Sequence, residues 1–193
     1  MKKNSIKTDM IMIVIISFIG YWFEDLWMLV RHGVLDNRNM YLPFLIGYGL
    51  AVVGIYYVIG TPKKILNRYE LKTPLNLIIY TLIMMFIVSI GEVILGTTVE
   101  NVLGYKYWDY STIPLHITKY TSIPTSIGFG IVITLFMNYI YEPLRKKIDK
   151  VSYRIPMVVF VILIIVFIID NYLSFRQMHI NGGRNMVWLI NFR

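Results

Sequence analysis

Five stretches of this chain reach the ~20 predominantly apolar residues that carry an α-helix across ~30 Å of hydrocarbon: 10–30, 41–60, 75–95, 123–141 and 155–175. Lipid offers no hydrogen bonds to a backbone, so spanning segments must satisfy their own polar groups as helices or closed barrels. The runs therefore predict an all-α polytopic membrane bundle of about five transmembrane helices, in a single integral membrane domain over residues 1–193. The 193 residues are 56% hydrophobic with a mean hydropathy of +0.60, leaving too little polar side chain to coat a soluble domain of this size. Pro62 and Pro143 are expected to follow helices two and four, and Pro156 to open helix five. The basic Lys2-Lys3 start reads as the flank of a retained first helix. The apolar run behind it is too long for a signal peptide, contains Glu24-Asp25 and shows no small-x-small cleavage site.

Basic residues set the expected orientation. Lys2, Lys3 and Lys7, the 63–72 loop and the 145–154 loop hold 12 of the 19 lysines and arginines. The positive-inside rule then puts the N-terminus in the cytoplasm and the C-terminus outside. The single alanine, Ala51, beside abundant Ile, Lys and Asn suggests an AT-rich genome and hence a bacterial cell membrane.

Several function classes are excluded. With no cysteine there are no disulfides or thiolate metal sites. No GxxxxGK[ST] run is present, so no cofactor is expected in this chain and ATP would act only through a separate ATPase partner. The net charge of +8 is spread between apolar runs and not gathered in one patch, which suits anionic lipid and not nucleic acid. His32, His116 and His179 follow no metal-ligand spacing, and no nucleophile elbow is visible, so no catalytic or metal-ligating residue is assigned. A homo-oligomer is left open.

The chemistry sits in carboxylates. Glu24, Asp25, Glu92 and Asp170 lie inside or at the edge of apolar runs, where a charge at mid-bilayer costs roughly 2.5–3.5 kcal/mol. All four fall in the expected outer half, with Glu100 and Asp109 in an outer loop spanning 96–122. On helix one, Gly20, Glu24, Trp27 and Arg31 share a face, and Arg31 or Arg38 is placed to neutralise Glu24. Asp25 points roughly 100° away from Glu24 and, like Asp170, reads as a solvated helix end. On helix three, Ser89, Glu92, Gly96 and Glu100 form a second stripe if the helix continues past Leu95. Glu92 is the leading buried acid. The aromatic segment around Trp108, Asp109, Tyr110 and Ser111 fits an interfacial belt, or a lid that folds back.

An internal repeat is suggested. Gly47-Tyr48-Gly49 and Gly128-Phe129-Gly130 each open a helix expected to end at a proline fifteen residues on, Pro62 and Pro143. Each preceding helix carries a glutamate, Glu24 and Glu92. Helices one–two and three–four then read as two parallel hairpins, with helix five added.

Gly20-x-x-x-Glu24, Asn37-Arg38 and a Gly-rich second helix, followed by Glu92, Glu100 and Trp108-Asp109-Tyr110-Ser111 at eight-residue steps, resemble the putative ABC-transporter type IV permease family (CmpB-type membrane proteins). Pro114 and Ser126-x-x-Phe129-Gly130 continue the resemblance, which covers roughly 20–143. Two features depart from it. Arg38 is followed by Asn39-Met40-Tyr41-Leu42-Pro43 in place of Gly-Phe-Leu, and His116 stands where Asn is common.

The resemblance implies a permease-like membrane subunit of a transporter, energised by a separate ATPase. Glu24, Arg38, Glu92 and Glu100 are the expected substrate-binding or proton-carrying residues, and Trp108–Ser111 the expected gate. The residues alone leave two alternatives: a non-transporting membrane partner or sensor, and an integral membrane enzyme acting on envelope or lipid intermediates.

Overall fold

The computed structural model describes residues 3–69 and 72–192. Lys2, Glu70 and Arg193 lie outside the described residues, as do the side chains of Lys3 and Arg68. The protein is an all-α membrane protein. Among the described residues, four helical runs are long and apolar enough to span a bilayer: Ile6–His32, Thr73–Leu103, Ile123–Ser152 and Met157–Asn181. The chain forms two compact units, Met1–Tyr57 with Arg145–Arg193, and Val58–Leu144.

In the first unit, α1 (Lys3–His32) runs unbroken because no proline or helix-breaking pair interrupts it, and Gly33 ends it. At a φ of 67°, Gly33 turns its N–H back to Leu29 O at 2.9 Å. The chain leaves through β1 (Val34–Asp36), then forms α2 (Ile46–Val58). After α6 (Glu142–Ser152) and α7 (Met157–Asn181), β4 (Leu189–Asn191) returns antiparallel to β1, with Asp36 opposite Leu189. Lys7 donates to Ile155 O at 2.6 Å, so α1 and α7 start at one end of the unit, and β1–β4 ties their other ends together.

The second apolar run, expected as a helix over 41–60, contains only 13 helical residues, a rise of about 20 Å. Its first residues, which include Pro43, bend without forming a helix, and their amides bond elsewhere. Ser174 Oγ accepts from Tyr41 N at 3.1 Å, Asp170 Oδ1 from Leu42 N at 2.8 Å, and Ser17 O from Leu45 N at 3.1 Å. The segment still travels the length of α1. Tyr48 meets Glu24 near one end, and Tyr57 meets Asp9 near the other. Close packing of the two helices rests on glycine, since a Cβ on Gly49 would lie 2.3 Å from Ile13 O.

In the second unit, α3 (Pro62–Tyr69) precedes α4 (Thr73–Leu103), which pairs antiparallel with α5 (Ile123–Leu135). Ser89–Ser126 at 2.8 Å and Thr81–Thr134 at 3.1 Å link the pair by hydroxyls, a way of holding helices together where apolar contact gives no preference over lipid. Helix α4 runs eight residues past the expected Leu95 end and stops at Gly104, which has a φ of 77° and donates to Glu100 O at 2.8 Å. Glu100 is therefore helical, and the outer loop is shorter than expected. Within it, β2 (His116–Thr118) and β3 (Thr121–Ser122) form a small antiparallel pair.

The expected stop at Pro143 does not occur. A π-helical turn at Phe136–Tyr141 joins α5 directly to α6, and Pro143 lies in the first turn of α6. The widened turn rearranges the backbone ladder just where proline lacks an N–H.

Candidate functional site

Each unit holds a glutamate one turn beyond a glycine, Gly20-x-x-x-Glu24 on α1 and Gly96-x-x-x-Glu100 on α4. In each, a tyrosine ring occupies the space that the glycine leaves. A Cβ on Gly20 would lie 2.4 Å from the Tyr48 ring, and a Cβ on Gly96 would lie 2.4 Å from the Tyr120 ring. In each, that tyrosine hydroxyl donates to the glutamate, and a cation pairs with it.

In the first unit, Tyr48 Oη donates to Glu24 Oε1 at 2.5 Å, and Arg38 Nη1 lies 3.9 Å from Glu24 Oε2. The Glu24 side chain remains 33% exposed, against 15% for Arg38. Arg38 is gripped by Asp36: Nη2 donates to Oδ2 at 2.5 Å, Nε to Oδ1 at 2.7 Å, and the backbone N–H to Oδ1 at 2.7 Å. Burial pushes the Asp36 carboxyl up, but the hydrogen bonds and charge of Arg38 outweigh it and hold the group below the usual carboxylate value, with Arg184 adding to the effect.

Asp25 is wholly buried and not a solvated helix end. Its Oδ1 accepts from Asp36 N at 3.0 Å and lies 4.0 Å from Arg38 Nε. Asp170 is buried too, because α7 runs on to Asn181 and places it against the backbone of Tyr41 and Leu42.

In the second unit, Glu100 Oε2 accepts from Lys119 Nζ at 2.5 Å and from the Tyr120 hydroxyl. Glu100 holds the Lys119 ammonium above its ordinary pKa. The expected gate residues adjoin this cluster. Trp108 Nε1 donates to Tyr120 O at 3.0 Å, its ring meets the Tyr120 ring edge-on at 5.8 Å, and Tyr110 N donates to Lys119 O at 2.8 Å. Asp109 is exposed and bonded to Lys106 at 2.6 Å and to Ser111 N at 2.9 Å, which hold its carboxyl far below the ordinary range.

The structure thus brings Glu24 to Arg38, and the 108–111 segment to the neighbours of Glu100. Glu92 is half-buried two turns before Glu100 on α4 and belongs to neither cluster. Sequence reasoning missed Asp36, Tyr48, Lys119 and Tyr120 as site residues. The signal for the two tyrosines was present, because Gly20/Glu24 and Gly96/Glu100 share one spacing. Matching Glu24 with Glu92 obscured it.

Asp9 was also missed. It pairs with Arg145 at 2.7 Å and accepts from the Tyr57 hydroxyl. Among the described residues, no group of three His, Asp or Glu side chains is arranged to hold a metal ion.

Chemically, each cluster offers a partly exposed carboxylate, oriented by a phenol hydroxyl and set beside a cation, which in the first unit is shared with Asp36 and Asp25. Such a group can exchange its cationic partner for a ligand, or accept a hydroxyl, without leaving a bare buried charge.

No curated protein and no solved structure matches the chain. Residues 11–175, which include both glutamate clusters, match the family described as Putative ABC-transporter type IV, and the chain belongs to that family of ABC-transporter-related membrane proteins.

Proposed function

We propose that this chain is the permease-like membrane subunit of a transporter driven by a separate ATPase, and that Glu24 and Glu100 receive a cationic or polyhydroxylated substrate at the outer face. The observation that carries the reading is the recurrence of one device, a Gly-x-x-x-Glu step with a tyrosine hydroxyl and a cation on the glutamate, once in each unit. A single polar helix end needs no function. Recurrence of the same partly exposed carboxylate in both units favours a functional role over an incidental polar helix end.

In this mechanism Arg38 and Lys119 neutralise the glutamates between substrates, and Trp108–Ser111 gates access to Glu100. Glu92 serves as a further proton-carrying or binding group along α4. The N-terminus is cytoplasmic and the C-terminus outside, in a bacterial cell membrane. The excess of Lys and Arg at the start of the chain and in the 145–154 loop supports this. The pairing of α1 and α7 at both ends of the first unit supports only that the two helices run in the same direction, so that the chain starts at one end of the unit and finishes at the other.

The test is crosslinking in the native host, mild-detergent purification and mass spectrometry. A stoichiometric ATPase is expected, and Glu24→Gln and Glu100→Gln are then expected to impair movement of the substrate of that complex. Recovery of the chain with no ATPase would overturn the reading.

A second reading has its own observation. Asp25 and Asp170 each accept a backbone amide from the loop that carries Arg38. For these two acids a purely structural role is sufficient, as a non-transporting membrane partner would require. Neutral isosteres that lower stability and leave no specific functional defect, in a chain that purifies without an ATPase, would favour this reading.

A further inference from the structure

Arg38 and Asn39 are consecutive non-glycine residues in the left-handed region, with φ of 45° and 63°. Asparagine tolerates that region, whereas arginine rarely enters it, so surrounding contacts must hold the pair there. Asp36 supplies some of them. The turn also closes on itself, Met40 N donating to Asn37 O at 2.7 Å and Asn37 Nδ2 to Met40 O at 2.9 Å, and a further set of contacts comes from the far end of the chain. Asn185 N donates to Asn39 Oδ1 and Asn185 Nδ2 to Asn39 O, each at 3.2 Å. Asn37 Nδ2 donates to Asn185 O at 2.8 Å, and Val187 N donates to Asn37 Oδ1 at 3.0 Å. Asn37 and Asn185 are both buried, and β4 continues the attachment along β1. Asn185 and Val187 lie beyond the family-matched span of 11–175, whereas Asn37 and Asn39 lie within it.

We infer that Asn185 is a positioning residue for Arg38: the 185–191 segment is a strap that fixes the left-handed turn and so aims the guanidinium at Asp36 and Glu24. The partners are specific to this strap. Asn185 and Val187 meet the amide and carbonyl groups of Asn37 and Asn39 in four hydrogen bonds, and Asn37 Nδ2 also donates to Met40 O within the turn. The bearing of the strap on substrate rests on the proposed Glu24 site, but its effect on Arg38 does not.

The experiment is phenylglyoxal labelling of the purified full chain, read residue by residue by mass spectrometry. Arg145 is the internal control, since its side chain is 17% exposed, close to the 15% of Arg38, and is ion-paired to Asp9 at the opposite end of the same unit. Asn185→Ala removes one of the four strap hydrogen bonds, Nδ2 to Asn39 O, and is expected to raise Arg38 labelling about fivefold with Arg145 unchanged. Val187→Pro, which removes the donor to Asn37, is expected to act in the same direction and serves if the first variant does not fold. Unchanged Arg38 labelling, or equal rises at Arg38 and Arg145, would overturn the inference. Normal transport in Glu24→Gln and Glu100→Gln would instead remove the proposed substrate site and leave the strap standing.

Discussion

Gly96 and Tyr120 share one space: the ring fills the volume that any side chain at 96 would need, with a hypothetical Cβ 2.4 Å from the ring carbons. The same fit places the Tyr120 hydroxyl on Glu100, one turn further along α4. Packing and polar chemistry are therefore coupled at this point, and again at Gly20, Tyr48 and Glu24.

Gly96→Ala and Gly20→Ala should each destabilise the protein by about 1–3 kcal/mol, because the ring must move to admit a methyl group. Gly91→Ala is the control. It lies on the same helix as Gly96 with nothing within 4 Å of its added Cβ, and should be neutral or mildly stabilising. Thermal unfolding in detergent measures all three. Equal melting points for Gly96→Ala and Gly91→Ala would contradict the fit.

Asp25 and Asp170 should act as anchors of local backbone. Removing an acceptor from a buried amide costs about 1–3 kcal/mol. Asp25→Ala is expected to speed hydrogen exchange at the Asp36 amide, and Asp170→Ala at the Leu42 amide. The asparagine variants keep an acceptor oxygen and should show smaller changes. Exchange that rises uniformly along α1 and α7 would instead indicate general loosening.

Two ion pairs give opposite pH signatures. The Asp36 carboxyl is depressed by Arg38, so its contribution is present above the unfolded value of about 3.9 and is lost as pH falls through the lower folded one. The melting difference between the parent chain and Asp36→Asn should therefore shrink as pH drops below about 4. Lys119 is raised by Glu100, so its contribution is present below its unfolded value of about 10.4 and is lost as pH rises through the folded one. The difference between the parent chain and Lys119→Met should shrink only in strong alkali. A pH-independent difference in either case would mean that the pair does not set stability.

Much of the architecture was legible because apolar run length is a direct physical demand of the bilayer. The runs located four long helices, and the 3.6-residue period put Glu100 on the same face as Gly96 once the helix was allowed to continue. The misreadings share a cause: each depends on contacts between residues far apart in sequence. Asp25 and Asp170 resemble solvated ends until the Asp36 and Leu42 amides are placed against them. Helix α2 is short because Pro43 interrupts the run and the Leu45 amide bonds to Ser17 O, neither of which hydropathy registers. Pro143 reads as a stop until the π-turn before it absorbs the missing donor. In the candidate site, the glutamates were visible as charges in apolar runs. Their tyrosines were hidden, because an aromatic residue near a membrane surface is ordinarily an anchor.

Asp9 provides a prediction at the other end of α1. Its Oδ1 lies 2.7 Å from Arg145 Nη2, its Oδ2 accepts from the Tyr57 hydroxyl, and the Arg145 guanidinium stacks 5.0 Å from the centre of the Tyr56 ring. One cation thus holds together the start of α1, the end of α2 and the start of α6. Arg145→Lys keeps the charge but loses the planar fork and the stacking, so it should still destabilise. The pair is mostly buried, which places its coupling between surface and fully buried ion pairs. A double-mutant cycle of Asp9→Asn with Arg145→Met, followed by unfolding in mixed micelles, should give an interaction of about 1–3 kcal/mol. An interaction near zero would mean that Asp9 and Arg145 are held by their aromatic neighbours and that the ion pair adds no stability of its own.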